Sequence, residues 1–282
     1  MHPSEIKEIL ASLGARPNKK LGQHFLIDQA ALDAIVDAAD LRSGDAVLEV
    51  GPGLGVLTGR LLEAGADVRA IEQDRLFIPY LEKKFHGQSF AVMRGDAAAV
   101  HWHEIVGTAP WKFISNLPYS ITSLALRKAL YAPNPASRVV VLVQREVAER
   151  VIARNGKASL LSLMVALASL SARIVRRVPA GAFFPPPKVE SSVLEILPMT
   201  PRDREARWGM DPEKIMELAR RGFAHPRKLL ASNLEGAARR AQGAVTKSDA
   251  QEILRSVGVN PKARAEDLSP EQWAALARVV AN

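Results

Sequence analysis

Val47-Leu48-Glu49-Val50-Gly51-Pro52-Gly53-Leu54-Gly55 runs an aliphatic segment straight into a turn with glycine at every second position. The aliphatic run reads as a short buried strand, the turn as its exit, and Leu54 to Glu63 as the helix after it. Glycines let backbone approach a ligand closely, as they do at phosphate-binding turns. A dinucleotide turn needs its third glycine one position later, where Val56 stands. Glu49 also sets a carboxylate where a pyrophosphate would approach. A tight strand-to-helix turn with no ligand would use the same glycines, so the loop gives the fold before it gives the function.

Working outward, Asp67 to Ile71, Phe90 to Met93, the run ending at Asn116 and Val139 to Val143 read as further apolar strands. Helices are expected at Arg75 to Phe85 and Ile121 to Leu130, and Glu5 to Leu13 as an amino-terminal helix. Strands and helices alternating at this interval make a parallel sheet covered on both faces. Two more strands, Ile174 to Val178 and Val189 to Leu197, flank Pro185-Pro186-Pro187 and suggest an antiparallel hairpin at the sheet edge, giving a mostly parallel seven-stranded α/β sheet. Ala158 to Ala172 reads as a buried helix, too short and too rich in serine to cross a bilayer. From Met199 the character changes: Met199-Thr200-Pro201 reads as a linker, succeeded by helices at 212–222, 227–241, 247–257 and 270–280. The expected division is therefore an α/β domain over 1–198 and a small all-helical domain over 199–282.

The 282 residues include no cysteine, which removes disulfides, thiolate metal sites and cysteine nucleophiles and fits a cytoplasmic setting. No signal-peptide core precedes the first helix, and neither a metal nor a membrane is expected. A net charge of +8 suggests a polyanionic partner. Its distribution is more informative. Arg173, Arg176, Arg177 and Lys188 form one basic stretch; Arg220, Arg221, Arg227, Lys228, Arg239 and Arg240 form another, opposed only by Glu235. Solvated helix faces would look alike, but two such stretches outside the glycine region favour a nucleic-acid track.

Three acids and one amide close successive strands. Glu49 precedes the glycine turn, Glu72 ends the second strand 21 positions after Gly51, and Asp96 comes after the third strand. S-adenosylmethionine has no phosphate and carries a sulfonium, an ammonium and a carboxylate; this acidic rim with Gly51 and Gly53 suits it better than NAD or ATP. Glu72 can accept from both ribose hydroxyls and Asp96 from the adenine amine, although each could equally cap a helix. Asn116-Leu117-Pro118-Tyr119 closes the fourth strand. An amide oxygen and turn carbonyls there can accept both hydrogens of an exocyclic amine, Pro118 fixes the turn, and Tyr119 can stack on the ring. That grip matters because an adenine amine is a weak nucleophile until its lone pair is drawn out of conjugation.

Five ordered motifs then give the chain a clear resemblance: Leu21-Gly22-Gln23-His24-Phe25-Leu26, the glycine loop with Leu57-Thr58, Glu72-Gln73-Asp74, Asn116-Leu117-Pro118-Tyr119, and Phe183-Phe184-Pro185-Pro186-Pro187-Lys188-Val189. Over nearly its whole length the chain resembles the ribosomal RNA adenine N6,N6-dimethyltransferases, and within them the small-subunit branch. The resemblance implies a Rossmann-like class I fold dependent on S-adenosylmethionine. It also implies a monomer acting on two adjacent adenines in the terminal hairpin of 16S rRNA, within a 30S precursor. It places His24, Leu26, Gly51, Glu72, Asp96 and Asn116 on the cofactor and Phe183 opposite Tyr119 around the target base. Many members carry Asn where this chain has His24. Phe184 stands where a small polar residue is frequent. In the basic segment, Arg220, Arg221, Arg227 and Lys228 are the expected RNA contacts, and Pro226 is expected to begin a new helix.

Two alternatives share these motifs. One is the antibiotic-resistance methyltransferase of 23S rRNA; the other is an rRNA-binding assembly factor on the same scaffold that has lost catalysis.

Overall fold

The computed structural model describes residues 1–18, 21–152, 158–236, 239–240, 243–244 and 246–281, with backbone alone at 239, 240, 243, 244 and 281. In chain order the elements begin α1 (Pro3–Ser12), β1 (Phe25–Leu26), α2 (Gln29–Ala39), β2 (Ala46–Val50), α3 (Val56–Glu63), β3 (Asp67–Glu72), α4 (Phe77–Lys84), β4 (Phe90–Arg94), α5 (Trp102–Val106) and β5 (Trp111–Asn116). They continue with α6 (Thr122–Tyr131), β6 (Arg138–Gln144), α7 (Arg145–Val151), α8 (Leu160–Ala168), β7 (Ser169–Val178), β8 (Phe183–Phe184) and β9 (Ser191–Pro198).

Seven strands form one sheet in the order β4-β3-β2-β5-β6-β9-β7. β2 pairs in parallel with both β3 and β5, and β6 in parallel with β5, whereas β9 runs antiparallel to β6. The chain moves outward from β2 to β4, then returns to β5 on the other side of β2. That reversal opens a crevice between β2 and β5 at their carboxyl ends, where sheets of this class hold ligands. Ser115 fastens the crevice floor by donating its hydroxyl to the Val50 carbonyl at 2.6 Å. Val139 to Val143 are fully buried, as a strand covered on both faces requires.

Two packed clusters flank the crevice. One gathers Leu26, Leu32, Ile35, Leu61, Ile114, Val140 and Phe183. The other joins α1 to α4 through Ile6, Leu10, Phe77 and Leu81, and holds Phe25, Leu54 and Phe85. Each such side chain contributes about 1.5–3 kcal/mol by leaving water. α2 is an addition to the elements expected from sequence. Asp28 caps it by accepting from the Ala31 N–H at 2.7 Å, and Ala31, Leu32, Ile35 and Ala39 form its buried face.

The chain divides into two compact units, one of 1–148 with 171–198, the other of 149–170 with 199–282. The expected single cut at 199 therefore misplaces the segment holding α8. The Met199 N–H donates to the Ala168 carbonyl and Trp208 Nε1 to the Leu167 carbonyl, tying α8 to the chain beyond 199. α8 itself ends at Ala168, where β7 begins, so the helix expected through Ala172 gives way to edge strand. The two strands expected as an edge hairpin lie side by side at the sheet edge, β9 next to β6 and β7 outermost.

The second unit also holds α9 (Pro201–Trp208), α10 (Pro212–Gly222), α11 (Leu230–Leu234), β10 (Arg239–Arg240), β11 (Gly243–Ala244), α12 (Lys247–Ser256) and α13 (Pro270–Ala281). α9 begins at Pro201, the last residue of the expected linker, with Thr200 as its cap. Pro226 does not open a helix; residues 223–229 form turns and α11 starts at Leu230. The expected helix through Ala241 is broken by the paired β10 and β11.

Candidate functional site: a cavity at the strand ends

The crevice between β2 and β5 opens into a cavity of about 310 Å³. Leu21 to Leu26, Glu49 to Leu54, Ile71 to Gln73, Gly95 to Ala98 and Asn116 to Ile121 line it. It therefore brings together His24, Leu26, Gly51, Gly53, Glu72, Asp96, Asn116, Leu117, Pro118 and Tyr119, the residues that the sequence singles out. Phe183 is the exception.

The glycine turn is held by a carboxylate rather than a phosphate. Gly53 N–H donates to Glu72 Oε2 at 3.0 Å, and Asp74 N–H donates to Glu72 Oε1 at 2.8 Å. With a third backbone hydrogen bond from Gln73, the roughly four lone-pair sites of the carboxylate leave one for a ligand hydroxyl. Burial raises the Glu72 pKa above the usual carboxylate value. Gly55 needs to be glycine twice over: its φ is +69°, and a Cβ there would lie 2.6 Å from the Phe85 ring.

Glu49 is almost completely buried, and Thr58 donates its hydroxyl to Glu49 Oε2 at 2.6 Å. Desolvation pushes the Glu49 pKa up to about 8, with the neighbouring Glu72 charge adding to the rise. Among the described lining residues there is no lysine or arginine, so a pyrophosphate would meet acids and no cation. A phosphate-free, cationic ligand fits that donor set, and S-adenosylmethionine is one.

Asp96 sits on the loop after β4, at the same carboxyl-end rim of the sheet. Its Oδ1 accepts from the Ala98 N–H at 2.8 Å, which leaves Oδ2 for a ligand amine. The group that fixes this loop has no local signature in the chain. Lys128, on α6, donates to the carbonyls of Ala97, Ala98 and Val100 at 2.9, 2.7 and 2.7 Å. Desolvation lowers the Lys128 pKa while Asp96 opposes the shift. A lone lysine on a helix is indistinguishable in sequence from a solvated one.

Asn116 ends β5 with its side-chain nitrogen donating to the His24 carbonyl at 3.2 Å. Only the nitrogen end can meet a carbonyl, so Oδ1 remains as an acceptor. The Pro118 carbonyl accepts the Ile121 N–H at 3.2 Å, closing the turn. Tyr119 is anchored at its far end, the hydroxyl lying 2.7 Å from Ser191 Oγ, and burial raises its pKa.

Phe183, on β8, lies outside the cavity lining. β8 pairs antiparallel with β1, opposing Phe183 to Leu26 and Phe184 to Phe25. Alternation along so short a strand sends the Phe183 ring into the first core cluster, where it is 2% exposed, and the Phe184 ring toward the second. Lys7 lies 5.5 Å from the centre of the Phe184 ring. What the Phe183–Pro187 segment does supply is the Pro185 carbonyl, 2.7 Å from His24 Nδ1.

Of the basic residues, Arg220, Arg221, Arg227 and Lys228 are all exposed, with Arg220 pairing to Glu213 at 3.4 Å. Arg173 is committed elsewhere: it binds Glu195 at 2.5 Å, a carboxylate that also holds Arg138. The Arg239 and Arg240 side chains lie outside the described residues. Among the described residues no cluster of metal-ligating side chains occurs and no helix is long and apolar enough to cross a membrane.

Comparison with known proteins agrees with this geometry. The family model described as ribosomal RNA adenine dimethylase matches residues 14–282. The chain is 39% identical to the ribosomal RNA small subunit methyltransferase A of Dehalococcoides mccartyi, over 97% of this chain and 91% of that one. It is 37% identical to the protein of that name from a Nostoc species, over 94% and 98%. Among solved structures, a dimethyladenosine transferase from Plasmodium falciparum aligns with a TM-score of 0.71 at 25% identity, covering 90% of this chain and 96% of that one. The 23S rRNA methyltransferase ErmE aligns with a TM-score of 0.66 at 25% identity, over 92% and 100%. The chain belongs to the ribosomal RNA adenine dimethylase family, and its sheet is that of the class I methyltransferases dependent on S-adenosylmethionine.

Proposed function

We propose that this protein dimethylates N6 of two adjacent adenosines in the 3′-terminal hairpin of 16S rRNA, acting as a monomer in the cytoplasm on a 30S precursor. The observation that carries the reading is the Asn116 amide, held by His24 so that an acceptor remains at the end of β5 beside a phosphate-free acidic cavity. The small-subunit name shared by relatives at 37–39% identity favours this target over the large-subunit one.

When bound, S-adenosylmethionine supplies an electrophilic methyl group. Glu72 and Asp96 would hold its ribose and adenine, and His24, Leu26, Gly51 and Gly53 would contact it. Asn116 Oδ1 and the Leu117 and Pro118 carbonyls accept the amine hydrogens of the flipped adenine, favouring the pyramidal geometry in which N6 can attack. Tyr119 stacks on the base. The proton that N6 releases once alkylated is acidic enough for water to take. Catalysis thus rests mainly on proximity and orientation. Exposed Arg220, Arg221, Arg227 and Lys228 contact RNA phosphates.

The test is methyl transfer from tritiated S-adenosylmethionine to undermethylated 30S particles, 50S particles and naked 16S rRNA. Incorporation into two adjacent adenosines of 30S alone is expected. Labelling of 50S would favour the 23S enzyme, and no labelling would favour an assembly factor.

A further inference from the structure

An aromatic face can receive a base only if the ring is held at the right angle. The Tyr119 backbone is fixed locally: the residue opens a short 3-10 turn through Ile121, and Thr122 donates its hydroxyl to the Tyr119 carbonyl at 3.2 Å. Those bonds leave the ring free to turn about two side-chain torsions, one with three staggered wells and one broad. The ring is half-buried and lines the cavity. A contact at the phenol oxygen, the atom farthest from the backbone, restrains both torsions at once. Ser191 supplies it, the two hydroxyl oxygens lying 2.7 Å apart.

Ser191 is 72 positions away in sequence and reaches the turn through sheet topology. β9 runs antiparallel to β6, so its first residue lies at the rim where the parallel strands end, Ser191 opposite Gln144. The residue before it is clamped. The Arg145 N–H donates to the Glu190 carbonyl at 2.9 Å, and the Arg145 and Glu190 side chains pair at 2.6 Å. Ser191 itself is fully buried, where a hydroxyl needs a partner. Its neighbour provides a contrast. Ser192 is equally buried, but alternation turns its side chain to the other face of the sheet, and its Oγ has no hydrogen-bond partner among the described residues.

We propose that Ser191 is a positioning residue for the methylation reaction, holding the Tyr119 ring at the angle at which it stacks on the target base. Ser191 does not line the cavity and acts through the Tyr119 hydroxyl. This assignment rests on the adenine-methylating function proposed above.

The experiment measures 30S methylation kinetics and calorimetric binding of S-adenosylhomocysteine. It compares wild-type protein with Ser191→Ala, Ser192→Ala, Tyr119→Phe and the double variant Ser191→Ala with Tyr119→Phe. Ser191→Ala should lower kcat/KM for 30S by about 3- to 10-fold, the scale of one hydrogen bond, while binding S-adenosylhomocysteine within about twofold of wild type. Tyr119→Phe keeps the ring, removes only the hydroxyl and should lose about as much. The double variant should be no slower than either single one, because both remove the same contact. Ser192→Ala deletes a hydroxyl of the same kind one residue away and should keep wild-type rates, which separates positioning from a general cost of hollowing β9. Wild-type rates for Ser191→Ala would overturn the proposal, as would losses that multiply in the double variant. A loss of S-adenosylhomocysteine binding parallel to the loss of activity would also overturn it, and so would a Ser192→Ala variant as slow as Ser191→Ala. Inactivity of wild-type protein on 30S would instead sink the proposed function, and this inference with it.

Discussion

Asn116 and His24, 92 positions apart in sequence, meet through one hydrogen bond from the Asn116 side-chain nitrogen to the His24 carbonyl. That bond removes the ambiguity of a carboxamide: the nitrogen is used and the oxygen faces a ligand. Asn116→Asp keeps the shape but sets a second oxygen against the carbonyl. We expect Asn116→Asp and Asn116→Ala both to lower methyl transfer by about 100- to 1,000-fold, the scale of losing one preorganised polar contact. S-adenosylhomocysteine binding, measured by calorimetry, should change little. Retained dimethylation of 30S by Asn116→Ala would refute the assignment.

Glu49 predicts a pH dependence of stability. Its pKa lies near 8 in the folded protein and near 4.5 when exposed. Between those values the folded state keeps a proton that the unfolded state has released, so stability falls as pH rises through the window. Glu72, raised by the same burial, adds in the same direction. Thermal melting of wild type should therefore lose ground from about pH 5 to about pH 8. Glu49→Gln should flatten part of that slope, and identical slopes would contradict the burial argument.

Gly55→Ala should destabilise the fold by about 1–3 kcal/mol through overpacking against Phe85, with about 1–2 kcal/mol more from the left-handed backbone. Adding Phe85→Leu should recover only the first part. Urea denaturation separates the two, and full recovery would mean that the backbone carries no strain.

Lys128→Met should loosen the Asp96 loop without touching the catalytic amide. The expected result is a rise of about tenfold in the cofactor Kd, equivalent to ~1.4 kcal/mol, with kcat at saturating cofactor nearly unchanged. Lys128→Arg should recover part of the affinity. A fall in kcat with unchanged affinity would show that the loop acts elsewhere.

Arg227→Ala combined with Lys228→Ala should weaken RNA binding for any sequence and reduce the salt dependence, as the slope of log K on log salt, by about 1.5. Cofactor affinity should stay as it was. An unchanged slope would remove both residues from the RNA track.

Much of the site is legible in the sequence because each piece sits at the end of its own strand. Glu49, Glu72, Asp96 and Asn116 come after apolar runs whose period and spacing declare a parallel sheet. The parts that are not legible depend on contacts between distant segments. The Phe183 ring can be assigned only once the pairing of β8 with β1 fixes which way alternate side chains point. The bond from His24 to Pro185 spans 161 positions and has no local signature. The sequence reads as one helix over 227–241, yet among its described residues only Leu230–Leu234 is helical, with turns on either side and β10 beyond, showing how little propensity decides in a short polar stretch.

The two-residue ladder joining Phe25–Leu26 to Phe183–Phe184 has a consequence for biosynthesis. A ribosome making this chain emits the glycine turn, both acidic strand ends and the Asn116 corner long before Pro185 emerges. Premature termination before residue 183 would leave β1 without its partner strand and the His24 ring without its Pro185 carbonyl, so the amino-terminal wall of the crevice cannot be finished until late in synthesis.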